Sequence, residues 1–263
     1  MSHVPPVAPA RHADAATITT SSPADWDISM ARRTFATLTD AAARKGRRPH
    51  RARPPALAMA IVTATLLAAL PAATRAGAEL DALVQKFLDS RKGQWHDMNV
   101  PEVDGRTLHD IIVSRKYKRA LEIGTSTGHS GIWIGWALSK TGGTLVTIDI
   151  DAGRQRQAVA NFEAAGVAPF IDARLGDAHL IVPALEGPFD FVFSDADKEW
   201  YRNYFDALFP KLRPGGCFVT HNVTAERGGW NSEYYQYLLR VPNLETTLDR
   251  GGAGMAISYK KGP

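Results

Sequence analysis

Cysteine occurs once, at Cys217, so this chain of 263 residues cannot close an internal disulfide, assemble a zinc knuckle or carry a CxxC redox pair. Neither sign of charge is in large excess: 31 Lys and Arg stand against 27 Asp and Glu, a net charge of +4. Even this small surplus is unevenly placed. Residues 1–78 hold ten of the basic residues and four of the acidic ones, which leaves 21 basic against 23 acidic in 79–263. The larger part of the chain therefore lacks the electrostatic signature of a nucleic-acid-binding protein. A 44% hydrophobic content without repeated apolar spans excludes collagen-like, disordered and polytopic membrane classes and is enough for one sizeable core. There is no internal repeat.

What is present divides at about residue 78. Residues 1–55 are rich in Ala, Pro, Arg, Ser and Thr, carry no sustained apolar period, and end in the basic run RKGRRPHRARPP at 44–55, so disorder is expected there. The uncharged stretch ALAMAIVTATLLAAL at 56–70 follows, and then an A-x-A site at Ala76 and Ala78. Basic, apolar and small-residue segments in that order read as an export signal, with Met30 as an alternative start. A signal anchor through 56–74 and a mis-called start before a cytoplasmic enzyme are the other two readings. The expected organisation is a basic leader over 1–78, with its signal-like segment at 56–78, and one domain over 79–263.

From Glu79 onward, strands alternate with helices. The periodicity predicts helices at 79–92, 105–117, 129–140, 154–166, 178–185, 199–212 and 231–239. Strands are predicted at 118–124, 144–150, 169–175, 189–195, 215–222, 244–249 and 254–261. The implied fold class is α/β: a mostly parallel seven-stranded sheet with helices on both faces and an antiparallel C-terminal edge strand. Ligands of such a sheet bind beyond the carboxyl ends of the strands, so the residues after each strand are the ones to read.

The first such turn is EIGTSTGHS, 122–130. Its glycines, Gly124 and Gly128, have three residues between them, and the middle glycine of the dinucleotide fingerprint G-x-G-x-x-G is missing. Asp149, ending the second strand, suits a carboxylate that accepts from both hydroxyls of a ribose. The other strand ends carry Gly176 to His179, Asp195 to Lys198, and His221 with Asn222.

From about residue 90 to its end the chain resembles the class I S-adenosylmethionine-dependent O-methyltransferases of the catechol and caffeoyl-CoA branch, which have a Rossmann-like fold. The pieces that carry the resemblance are MNVPEVDG at 98–105, LEIGTSTGHS at 121–130, VTIDID at 146–151, GDAHLIVPAL at 176–185, FDFVFSDADKEWY at 189–201 and GGCFVTHNV at 215–223. The resemblance implies that Met98 and Val100 flank the cofactor and that Glu122, Gly124 and Ser130 hold its methionine part. Ser126 and Gly128 line the same loop, Asp149 takes the ribose, and Ala178 and His179 border the adenine. Asp195 counts both among the cofactor contacts and as a metal-ligand position, and Lys198 falls on the catalytic lysine. The implied partner is a small hydroxylated, aromatic acceptor, with a homodimer left open.

One departure stands out. Where the metal-dependent family has an acid before the asparagine, this chain has His221, and hard ions such as magnesium prefer oxygen ligands. Asp195, His221 and Asn222 are then read either as a site for a softer divalent ion, with Asp197 as an added oxygen ligand, or as a metal-free site in which His221 is the base. A histidine merely hydrogen-bonded at a strand end is the third reading. Two other functions compete with methyl transfer: an exported, non-catalytic protein binding a nucleoside-type ligand, and a nicotinamide-dependent oxidoreductase. Trp133 and Trp136 are expected in the core, Cys217 as a small buried residue, and Trp95, Trp200, Tyr201 and Trp230 as walls for an aromatic acceptor or as packing.

Overall fold

The first strand, β1 (Arg119–Ile123), is buried from Ala120 to Ile123. Successive side chains go to opposite faces. Leu121 and Ile123 pack with Val192 into one apolar layer, and Ala120 packs with Phe191 and Phe193 into the other. A strand apolar on both faces must be covered on both, and helices do the covering.

The computed structural model describes residues 72–95 and 98–262. Helix α1 (Ala72–Ser90) and helix α2 (Glu102–Arg115) precede β1. Then follow α3 (His129–Thr141), β2 (Thr144–Asp149), α4 (Ala152–Ala164), β3 (Ile171–Leu175), α5 (Ala178–Ala184) and β4 (Phe189–Ser194). The chain continues through α6 (Tyr201–Leu208), β5 (Leu212–His221), α7 (Ser232–Leu238), β6 (Leu244–Asp249) and β7 (Met255–Lys260). The basic run and the apolar stretch up to residue 71 lie outside the described residues. Ala76 and Ala78 belong to α1, which runs without a break across the boundary drawn at 78. Among the described residues no helix is long and apolar enough to cross a membrane.

The sheet order is β3-β2-β1-β4-β5-β7-β6. The first five strands pair in parallel, and β7 is antiparallel to both β5 and β6. Seven strands with an antiparallel departure at the C-terminal side match the sequence expectation. The departure lies one place further in, because β7 inserts between β5 and β6 and leaves β6 at the edge. The helix predicted over 199–212 is shorter than expected. Its flanks, Lys198–Trp200 and Phe209–Lys211, are tight 3-10 turns, and Pro210 cannot donate to a continuing α-helical ladder.

Helices α2 and α3 cover one face through Leu108, Ile112, Ile134 and Leu138, while α5, α6 and α7 cover the other through Val182, Tyr201, Phe205 and Leu238. Helix α1 packs outside α3 and α4 through Val84, Phe87 and Leu88, and its Asp81 accepts a hydrogen bond from Trp136 at 2.6 Å. Cys217 and Trp133 are buried in the core, as expected. After β3 the chain returns to the other side of β1, so the carboxyl ends of β1 and β4 border the switch point of the sheet. The N–H of Asp195 donates to Ile123 O at 2.9 Å across that point.

Helices α2 and α3 approach closely at Gly105, where a Cβ would lie 2.2 Å from Trp133 Cδ1. Gly105→Ala gains about 1 kcal/mol of helix propensity. It must also displace an indole that is 1% exposed, and overpacking of this kind costs about 1–3 kcal/mol. The steric term should win. Thermal denaturation is expected to show a melting temperature lower by several degrees, and an unchanged or raised value would show that the two helices separate freely.

Candidate active site

The loop after β1 is shaped by its backbone. Gly124, Ser126 and Gly128 all have positive φ, at 96°, 49° and 93°. A Cβ on Gly124 would lie 2.6 Å from Asp195 O, so only glycine lets the ends of β1 and β4 close on each other. Gly128 begins α3 with its Cα against the Phe162 ring, where a Cβ would come within 2.7 Å. The N–H of Ser126 donates to Asp149 Oδ2 at 2.7 Å, and that of Asp151 donates to Oδ1 at 2.8 Å. Asp149 thus fixes the loop to the end of β2, and each carboxylate oxygen keeps a further lone pair for a ligand.

Glu122 lies beneath this loop and is fully buried. Its Oε2 accepts from Thr147 Oγ1 at 2.6 Å, while Oε1 has no partner. Burial pushes its carboxyl up to about 7, against the hydrogen bonds of Ser130 and Thr147 and with the help of the nearby Asp195 and Asp149 charges. A buried acceptor without a donor is costly, so the geometry suits a ligand that brings one, such as an ammonium.

At the ends of β4 and β5 four charged side chains form a continuous chain. Lys198 Nζ donates to Asp195 Oδ1 at 2.6 Å. Asp195 Oδ2 lies 3.2 Å from His221 Nδ1, in ion-pair contact but off the line of a hydrogen bond. His221 Nε2 is 2.9 Å from Asp104 Oδ2, which also accepts from the N–H of Ala253 at 3.0 Å. The side chains of His221 and Asp104 are 4% and 1% exposed, whereas that of Lys198 is 31% exposed. Burial alone would lower the imidazole, but the two carboxylates reverse this and lift it to about 9, so the ring is protonated at neutral pH. Tyr201 OH donates to the His221 carbonyl at 2.9 Å, and burial pushes that phenol up.

Sequence reasoning missed Asp104. The available signal was its position on α2, where it shares the buried stripe of Leu108 and Ile112 at a spacing of four. An acid on an apolar stripe needs a partner, and the partner is on β5.

The structure places the other expected residues unevenly. Met98 (φ 60°) is 70% exposed, and Arg154 Nη1 lies 4.0 Å from its sulfur. Val100, by contrast, is buried in the core, and its carbonyl contacts His129 Nδ1 at 2.9 Å. His129, unexplained by the sequence, also accepts from Trp133 Nε1 at 3.1 Å and stacks on Trp95, clamping the segment before α2 onto α3. Ala178 opens α5, which Asp177 caps by accepting from the N–H of His179 at 2.9 Å. The His179 ring stacks on Trp200 at 3.7 Å, and its Nε2 contacts Asp197 Oδ2 at 2.8 Å. Asp197 also accepts from Tyr204 OH, so both of its oxygens are engaged away from Asp195. Asn222 (φ 52°) follows His221, and its carbonyl accepts from Asn231 Nδ2 at 2.8 Å. Trp230 is exposed and Tyr201 is buried.

Acids closing β1 and β2 around a glycine loop, on a sheet ordered β3-β2-β1-β4-β5-β7-β6, define a class I S-adenosylmethionine-dependent methyltransferase. Residues 75–231 match the profile of the O-methyltransferase family, and the chain belongs to that family. It is 34% identical over 151 residues to a catechol O-methyltransferase of Niastella koreensis, a match covering 56% of this chain and 68% of that one. It is 35% identical over 138 residues to caffeoyl-CoA O-methyltransferase 1 of Zea mays, covering 50% of this chain and 53% of that one. The chain therefore spans about half the length of the maize relative. An O-methyltransferase of Streptomyces achromogenes solved with S-adenosylmethionine superposes with a TM-score of 0.58 at 26% identity, covering 78% of this chain and 96% of that one.

Glu122 supplies a pH signature. Its carboxyl is raised in the fold, so ionising it opposes folding. That cost is absent below the unfolded value of 4.5, grows as pH rises to about 7, and is constant above. Glu122→Gln is therefore expected to stabilise the ligand-free protein by about 2–3 kcal/mol at pH 8. In urea unfolding the gain should fade towards pH 4.5; a gain independent of pH would show that the carboxyl is not perturbed.

Proposed function

We propose that the chain transfers a methyl group from S-adenosylmethionine to a hydroxyl of a small aromatic acceptor. The observation that carries this reading is the adjacency, across the switch point, of the Glu122–Gly124–Asp149 cradle and the Lys198–Asp195 pair. The cradle fits the cofactor on its own chemistry: an acceptor without a donor at Glu122 Oε1 for the amino group, and spare lone pairs on Asp149 for ribose hydroxyls. Ser126, Gly128 and Ser130 complete the cradle, with Met98 and Val100 flanking it and Ala178 and His179 at its adenine side. When bound, S-adenosylmethionine supplies an electrophilic methyl group on a sulfonium.

The protein's own task is to align an oxygen with that methyl group and to remove its proton. Lys198 stands at a strand-to-helix turn, held by Asp195 and still 31% exposed. A phenol is acidic enough for a positioned amine to take its proton as the oxygen attacks. In the amine form Nζ would accept the hydroxyl proton, the bound sulfonium would give up its methyl group to the oxygen and leave as a neutral thioether, and the ammonium would then lose its proton to water. The phenolic substrates named for the relatives, catechol and caffeoyl-CoA, support an aromatic acceptor, and the exposed Trp230 offers flat apolar surface for one.

Isothermal titration should show S-adenosylmethionine binding and no binding of NAD. Asp149→Ala removes a charged hydrogen-bond acceptor worth about 1.5–3 kcal/mol, so affinity should fall about tenfold or more. Lys198→Ala should slow methylation of a catechol by about 10²–10⁴-fold and leave cofactor affinity nearly intact. Unchanged cofactor affinity in a folded Asp149→Ala protein would overturn the assignment.

A further inference from the structure

We propose that the imidazolium of His221, fixed between Asp104 and Asp195, stands in for the divalent metal that the family resemblance implies, so that this enzyme works without one. The donor set does not fit a metal. A ligating histidine needs a free lone pair, but Nε2 of His221 is hydrogen-bonded to Asp104 at 2.9 Å, and Nδ1, which has no hydrogen-bond partner, stands 3.2 Å from the Asp195 carboxylate. A carboxylate against each side of the ring favours the form with hydrogen on both nitrogens, which leaves no lone pair for a metal. Asp195 is engaged on both sides, with Lys198 Nζ on Oδ1 and His221 on Oδ2. Asp104 Oδ2 takes both His221 and the Ala253 N–H, and its other oxygen is walled in by Gly252, where even a Cβ would come within 1.9 Å. Among the described residues no group of three or more His, Cys, Asp or Glu is arranged to hold a metal ion.

Charge balance makes the replacement coherent. A dication at this position would hold Asp195 by opposite charge, and a protonated imidazole supplies a charge of the same sign at the same place. Asp195 keeps a cation on Oδ2 while Oδ1 accepts from Lys198. A ring of fixed geometry does the holding, without the water shell that a hard divalent ion retains. Asp104 is the second half of the device: it lies buried behind the ring, and without it the imidazolium would be a desolvated cation with one partner. Both are positioning residues for Lys198 rather than catalytic residues.

The inference rests on the methyl-transfer reading only for its activity arm. The full-length protein, dialysed against a chelator and returned to chelator-free buffer, is titrated calorimetrically with manganese chloride and with zinc chloride. The expected result is no saturable site tighter than about millimolar, the range of weak oxygen sites. In parallel, S-adenosylmethionine binding and catechol methylation are measured in chelator, with both expected to match the untreated protein. His221→Asp should reverse the behaviour: it should bind manganese, and its methylation should become chelator-sensitive, a switch that loss of a merely structural contact would not produce. A tight manganese or zinc site in the unmodified protein that vanishes in His221→Ala would overturn the proposal. So would a loss of activity in chelator that added metal restores. Should no acceptor be methylated under any condition while S-adenosylmethionine still binds, the acceptor reading fails, and the metal titration still decides this inference. If His221→Asp does not fold, the titration of the unmodified protein decides it alone.

Discussion

A charge removed from water must meet an opposite charge, and in this protein that requirement organises the whole carboxyl end of the sheet. Asp104 is on a helix before the first strand, Asp195 follows the fourth, and His221 ends the fifth. None of the three is stable in its place without the others. Breaking such a buried pair by removing one partner typically costs about 3–5 kcal/mol, more than most single core contacts. The same pairing fixes Asp195 Oδ1, which in turn orients Lys198 towards solvent. Electrostatic neutrality inside and a reachable amine outside are thus two ends of one arrangement.

The cofactor side obeys a different constraint, one of backbone rather than charge. Three positive φ angles at alternate residues turn the 124–128 loop so that Asp149 can collect the Ser126 amide. The same glycine that permits the turn allows Asp195 O to approach within 2.6 Å of where a Cβ would stand. The cofactor cradle and the charged chain therefore share a wall, and Glu122 beneath that wall responds to the charge of both Asp149 and Asp195.

Much of this was legible in the sequence because parallel strands buried on both faces must be nearly continuous apolar runs. FDFVFS and RALEI are of that kind, and the acids that follow or interrupt them mark the ligand face. The resemblance carried the Gly124 loop and Asp149 to adjacent places, and the structure joins them through one hydrogen bond. Insertion of β7 between β5 and β6 was not legible, since strand order in an antiparallel pair is decided by which edge the pair docks on, not by local pattern. The break at Pro210 was visible as a residue, yet the apolar period ran through it. Asp104 was out of reach for a further reason: its meaning lies 117 residues away, at His221. Val100, expected beside the cofactor, is buried, and its carbonyl meets the His129 ring.

The contact between Asp104 and the Ala253 amide spans 149 residues, from a helix before the first strand to the turn before the last. Contacts of such sequence separation close late, because loop entropy must be overcome before they contribute. During synthesis from the N-terminus, Asp104 emerges well before His221, and both emerge before the turn that seals them. A chain that stops short of Ala253 leaves Asp104 on α2 without that amide donor.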